Sequence, residues 1–63
     1  MTEFAAQIRA RVREAAHHLG QAELSGDHYS AEVYRADLEN IARIAREHGV
    51  PVPELEALGL SAA

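Results

Sequence analysis

Cysteine is missing from the chain, so no disulfide braces it and the best zinc ligand is unavailable. Lysine is missing too. All six basic residues are arginine, against ten acidic ones, for a net charge of −4. That balance argues against a dedicated nucleic-acid binder. No apolar run approaches the ~20 residues that a bilayer span requires. Glu3, Arg9, Arg11, Arg13 and Glu14 leave no room for the apolar core of a signal peptide. The expected location is the cytoplasm.

Chemistry is equally short of raw material. The sequence has no glycine-rich phosphate loop. Its three serines, Ser25, Ser30 and Ser61, fall outside any glycine-flanked elbow with a paired base. The carboxylates are scattered over helix surfaces rather than gathered into a desolvated pair. A chain of this kind is expected not to be an enzyme and to need no cofactor.

What is present is helix-forming. Alanine occurs thirteen times among 63 residues. Alanine and arginine in such numbers, with no lysine, point to GC-rich coding and a bacterial source. Thr2 is a good N-cap, with Glu3 well placed in the first turn. From there Ala5, Ile8, Val12, Ala15, Leu19 and Ala22 recur in steps of three and four, the seam of a helix packed on another helix. Phe4 and Ala16 widen that stripe. Ser25-Gly26-Asp27 ends it, with Gly26 suited to a left-handed C′ position.

The second helix starts near Asp27 or Ser30, either of which can cap it. Its seam is Ala31, Tyr34, Leu38, Ile41, Ala45 and His48, flanked by Val33 and Ile44. Gly49, Val50 and Pro51 form its stop. An extended stretch through Val52 leads to Pro53, which opens a helical turn closed by Gly59. The expected fold is all-α: an antiparallel hairpin with helices over about 3–25 and 28–48 and a short turn over about 53–58. The chain is one domain, residues 49–63 being its tail.

The stretch from Leu19-Gly20 through Gly26-Asp27-His28-Tyr29 to Ala31 resembles the tetratricopeptide repeat, which has a Leu-Gly pair, a Gly-Asp-Tyr-like turn and alanine in its second helix. The turn departs from that pattern, Gly26 coming one residue early and His28 preceding Tyr29. The chain as a whole also resembles small helical-hairpin proteins of high-GC actinobacteria, with an Ala/Arg-rich hairpin and a Gly-Asp-x-Tyr turn. That likeness implies the hairpin fold and carries no activity with it.

So short a chain buries only ~60% of its unfolded surface and usually needs help from self-association. Two alanine-rich helices cannot enclose a core alone. The expected partner surface, completing a homodimeric four-helix bundle, comprises Phe4, Ile8, Val12, Leu19, Val33, Leu38, Ile41, Ile44, Leu55 and Leu58. Val50, Val52, Leu55, Leu58 and Leu60 make the tail too apolar for a solvated end; it folds back over the hairpin or docks on another chain.

Two further groups stand out. Arg9, Arg11, Arg13, Arg43 and Arg46 gather away from the turn, a candidate patch for an anionic partner unless Glu3, Glu39, Glu47 and the tail's Glu54 and Glu56 neutralise it locally. The four histidines do not converge in one chain. With the turn centred between residues 27 and 28, facing positions sum to ~55, which sets His17 and His18 opposite Asp37 and Leu38. Glu14 and His18, four apart, are a surface pair at most, and no metal site is expected. His48 is read as a residue near the helix end that favours the dipole. Tyr29 is expected to pack at the turn, and Tyr34 in the seam with its hydroxyl at the rim.

The function these features support is that of a non-enzymatic protein-interaction module, a regulator or adaptor acting as a homo-oligomeric hairpin. The alternative is a nucleic-acid-associated regulator that uses the arginine-rich end.

Overall fold

The computed structural model describes residues 2–60; Ser61 lies outside them. Three helices run in order, α1 (Glu3–Ser25), α2 (His28–Glu47) and α3 (Pro53–Ala57). The described residues contain no strand, and none of their helices is long and apolar enough to cross a membrane.

Local chemistry sets each boundary. The Ala5 amide donates to Thr2 Oγ1 at 3.1 Å, satisfying one of the unpaired amides at the start of α1. At the other end Gly26 takes φ of +72°. The Asp27 amide then reaches the Ala22 carbonyl at 2.9 Å, the six-to-one bond of a Schellman stop. Asp27, rather than Ser30, caps α2, its Oδ1 accepting from the Ser30 amide at 3.0 Å. The same device recurs after α2, where Gly49 is left-handed and the Val50 amide bonds the Ala45 carbonyl at 2.8 Å.

Gly26 and Asp27 are therefore the whole connection, and its centre lies midway between Ser25 and His28. Facing positions sum to 53 rather than ~55. Ring contacts bear this out: Phe4 meets His48 with centroids 5.0 Å apart, and His18 meets Tyr34 at 5.2 Å. The helices are antiparallel. His18 accordingly faces Tyr34, three residues nearer the hairpin's tip than the Asp37 level that a sum of ~55 implies.

The core is apolar throughout, with no polar or charged residue buried among those described. Ile8, Val12, Ala15 and Leu19 of α1 meet Leu38, Ile41, Ala42 and Ala45 of α2. The third side comes from the tail. Val52 and Leu55 are buried against the hairpin, with Val50 and Leu60 packed at the margin. Between its two possible fates, the tail takes the first: it folds back on its own chain.

That docking corrects the expected partner surface. Ile8, Val12, Leu19, Leu38, Ile41 and Leu55 are all enclosed within a single copy, because Val52 and Leu55 supply the cover that a pair of helices lacks. Phe4, Val33 and Leu58 stay exposed, at 41%, 48% and 41%, and Ile44 is half-buried.

Candidate functional site

The hairpin has two long flanks, and they are treated differently. At 100° per residue, Arg9 and Arg13 fall on one side of the Ile8–Val12–Leu19 stripe, while Glu14 and His18 fall on the other. On α2, Arg35, Glu39 and Arg46 fall on one side of Leu38, with Val33, Asp37 and Ile44 opposite. The tail covers only the Arg9–Arg13 flank.

There Glu54, in the first turn of α3, is gripped by two arginines one helical turn apart. Arg9 Nε and Nη2 donate to the carboxylate at 3.1 and 2.9 Å, and Arg13 Nη1 donates at 3.2 Å. Hydrogen bonding to Arg9, with smaller help from its own backbone amide and from Arg13, pulls the Glu54 carboxyl down to about 2. The Arg9 guanidinium is raised in turn by the same hydrogen bond and charge. The bidentate geometry makes this a stronger clamp than a single contact between charges.

The other flank is bare. A shallow cleft of about 190 Å³ lies along it, lined by Arg11, Glu14, Ala15, His18, Tyr34 and Asp37. His18 and Tyr34 stack with their planes 20° apart. Arg11 Nη2 sits 3.7 Å from Asp37 Oδ1, and His18 Nε2 is 3.8 Å from Glu14 Oε1. These contacts are long and exposed, so they contribute little to the monomer. Phe4 and Ile44 continue this flank toward the open end of the hairpin, and Val33 continues it toward the turn. At the open end a larger hollow of about 490 Å³ is lined by Thr2, Phe4, Ala5, His48, Gly49, Val50 and Pro51.

Tyr29 differs from expectation, and His48 caps its helix as expected but lies outside the buried seam. Tyr29 is 79% exposed, because nine residues from Leu38 at 100° each turn it to the far side of α2. His48 follows the last helical residue, as C-cap of α2; it is exposed, its ring set edge-on to Phe4.

The arginine patch is divided. Arg9 and Arg13 hold Glu54, Arg11 faces Asp37, and Arg43 binds Glu47 and Asn40. Among the described residues Arg46 has no ion-pair partner, but it is one charge and not a patch. His17 lies beside His18 with ring centroids 5.8 Å apart, and among the described residues no three His, Asp or Glu side chains group as ligands for an ion.

Sequence reasoning named Glu54 and Glu47 among the acids that neutralise the arginines, and both do; it did not foresee that Arg9 and Arg13 grip Glu54 together, nor the stacked pair at His18. The first joins residues 45 apart and leaves no periodic trace. The second was legible from the helical wheel, once the two-residue connection is counted correctly. Comparison with family models, with curated proteins and with solved structures finds no match.

Proposed function

We propose that this chain is a small protein–protein interaction module, a regulator or adaptor working in the cytoplasm, which closes one flank with its own tail and offers the other to a polypeptide partner. The observation that carries this reading is the asymmetry of cover. Val52, Leu55 and the Glu54 clamp occupy the Arg9–Arg13 flank, whereas Phe4 and Val33 on the opposite flank keep 41% and 48% of their surface in water. Leu24, at 92%, is exposed off this flank; Phe4 and Val33 are the large apolar side chains left in water on it, and we read them as marking a contact surface.

Site-specific photo-crosslinking in cells tests the reading. A photoreactive phenylalanine analogue at Phe4 or Val33 is expected to give a crosslinked polypeptide. The same group at Glu39, exposed on the opposite flank of α2, is expected to give none. Absence of product at both Phe4 and Val33 would remove the interaction surface.

A further inference from the structure

We infer that the groove under the tail also accepts the tail of a second copy, two chains exchanging α3 once the reversal at Gly49 opens. The inference concerns the closed flank and does not depend on what meets the open one.

Groove and occupant are already complementary. Leu55 is fully enclosed and Val52 is buried. Three N–H donors converge on one carboxylate oxygen, with Arg9 Nη2 at 2.9 Å, Arg9 Nε at 3.2 Å and Arg13 Nη1 at 3.2 Å from Glu54 Oε2. α3 has only five residues, too few to hold a helix alone in water. Away from its own hairpin it needs another of the same sequence to fold against. A second copy presents the same apolar floor and the same two arginines, so every contact of the tail is remade between chains.

The hinge decides between the two arrangements. Pro51 lines the hollow at the open end beside Phe4 and Ala5, and Glu54 reaches Arg9 and Arg13. The tail therefore runs back from the open end toward the turn. Val50 and Val52 each precede a proline, which holds them extended, and Pro51 and Pro53 have φ fixed near about −65°. The sharp bend falls to Gly49, at φ of +66°.

With Gly49 out of the left-handed region, the segment runs straight on from α2. His48 to Pro53 then spans up to roughly 17 Å, enough to carry the tail past its own open end onto a copy set head to head. It enters the second groove from the same end, and in the same direction, as the resident tail. Each copy also brings Phe4, 41% exposed, to the junction. Tethering restrains the exchange, because a closely linked tail meets its own groove at an effective concentration of about 1 mM. The wild-type chain is accordingly expected to pair only toward about that concentration.

Gly49→Ala shifts the balance. No atom obstructs a Cβ at Gly49, so the substitution penalises the left-handed reversal alone, by roughly five- to thirtyfold per chain. An exchanged dimer relieves two hinges at once. Its dissociation constant is expected to fall at least ~30-fold below that of the wild type, read by sedimentation equilibrium on the full chain from about 1 µM to 1 mM.

Charge reversal in the Gly49→Ala background then identifies the dimer as an exchanged one. Glu54→Arg gathers three guanidiniums at the clamp, and Arg9→Glu with Arg13→Glu gathers three carboxylates. Either chain alone mismatches its tail and its groove. In an equimolar mixture each tail finds opposite charge in the other chain's groove, and association is expected to be at least ~tenfold tighter than for either variant alone. Circular dichroism verifies that each hairpin is folded, and a chain that loses helix alone is expected to regain it on mixing.

A dissociation constant unchanged by Gly49→Ala overturns the proposal. So does a dimer that gains nothing on mixing, since chains paired through any other face would keep their tails closed.

Discussion

The two flanks of the hairpin are made from the same two helices, yet one is closed and the other open. On the closed flank a five-residue helix delivers Leu55 into the core and Glu54 onto two arginines. On the open flank the groups at hand are a stacked His18–Tyr34 pair, a long Arg11–Asp37 contact and two exposed apolar side chains. The difference lies in how contacts combine. Burial of Leu55 makes the Glu54 contact productive by fixing where α3 sits, whereas the charges of the open flank hold nothing else in place.

The contrast is most easily broken at its shared base. Leu38 is fully enclosed between the flanks, and Leu38→Ala is expected to cost about 3–5 kcal/mol from lost burial and the cavity left behind. A domain of this size holds little more than that, so circular dichroism is expected to show a largely unfolded chain at 37 °C. Next comes Leu55→Ala, expected at about 2–3 kcal/mol because a short terminal helix can settle into the space. Urea titration gives the loss, and amide hydrogen exchange is expected to show residues 50–60 released first. Leu58→Ala, on the same helix but 41% exposed, is expected to cost less than ~1 kcal/mol.

Gly26→Ala probes the tip where both flanks begin. No atom obstructs a Cβ there, so the expected cost of about 1–2 kcal/mol is that of a left-handed backbone alone. Acid then separates the flanks electrostatically. The Glu54 carboxyl sits at about 2, below its ordinary value of 4.5. A carboxyl lowered by folding stabilises the fold fully above the unfolded value, and the effect is lost as pH falls through the folded one. Stability is therefore expected to drop between about pH 4.5 and 2, with Asp27 contributing in the same direction. Glu54→Gln is expected to flatten much of that slope in urea midpoints taken across the range. The smallest effect belongs to the open flank: Val33→Ala is expected to change monomer stability by less than ~0.5 kcal/mol, against a clear loss of crosslinking.

Much of the fold was legible in the residues. The three-four spacing of Ile8, Val12, Leu19, Leu38 and Ile41 locates both long helices, and Thr2, Gly26 and Gly49 mark ends that the hydrogen bonds then reproduce. The tail was legible only as something apolar. Val52, Leu55 and Leu58 say that it packs, but which surface receives it depends on Arg9 and Arg13 meeting Glu54 across the fold, and no local pattern encodes that meeting. The candidate surface was misjudged for the same reason. Six of its ten residues were needed for a core whose third side the sequence did not place, while Phe4, Val33 and, in part, Ile44 remained accessible once the tail was down. Tyr29 and the His18–Tyr34 pair are different: helical phase contains both, the pair being missed by centring the turn one residue late and Tyr29 by not counting its nine residues from Leu38.

The link between α1 and α2 leaves no slack. Gly26 is used up ending one helix and Asp27 starting the next, so the loop has no idle residue to give or take. A deletion there would have to be absorbed by unwinding a helix end, slipping Leu38 against Val12. Tolerance for change in chain length must lie elsewhere, which makes this pair a ruler that sets the alignment of everything beyond it.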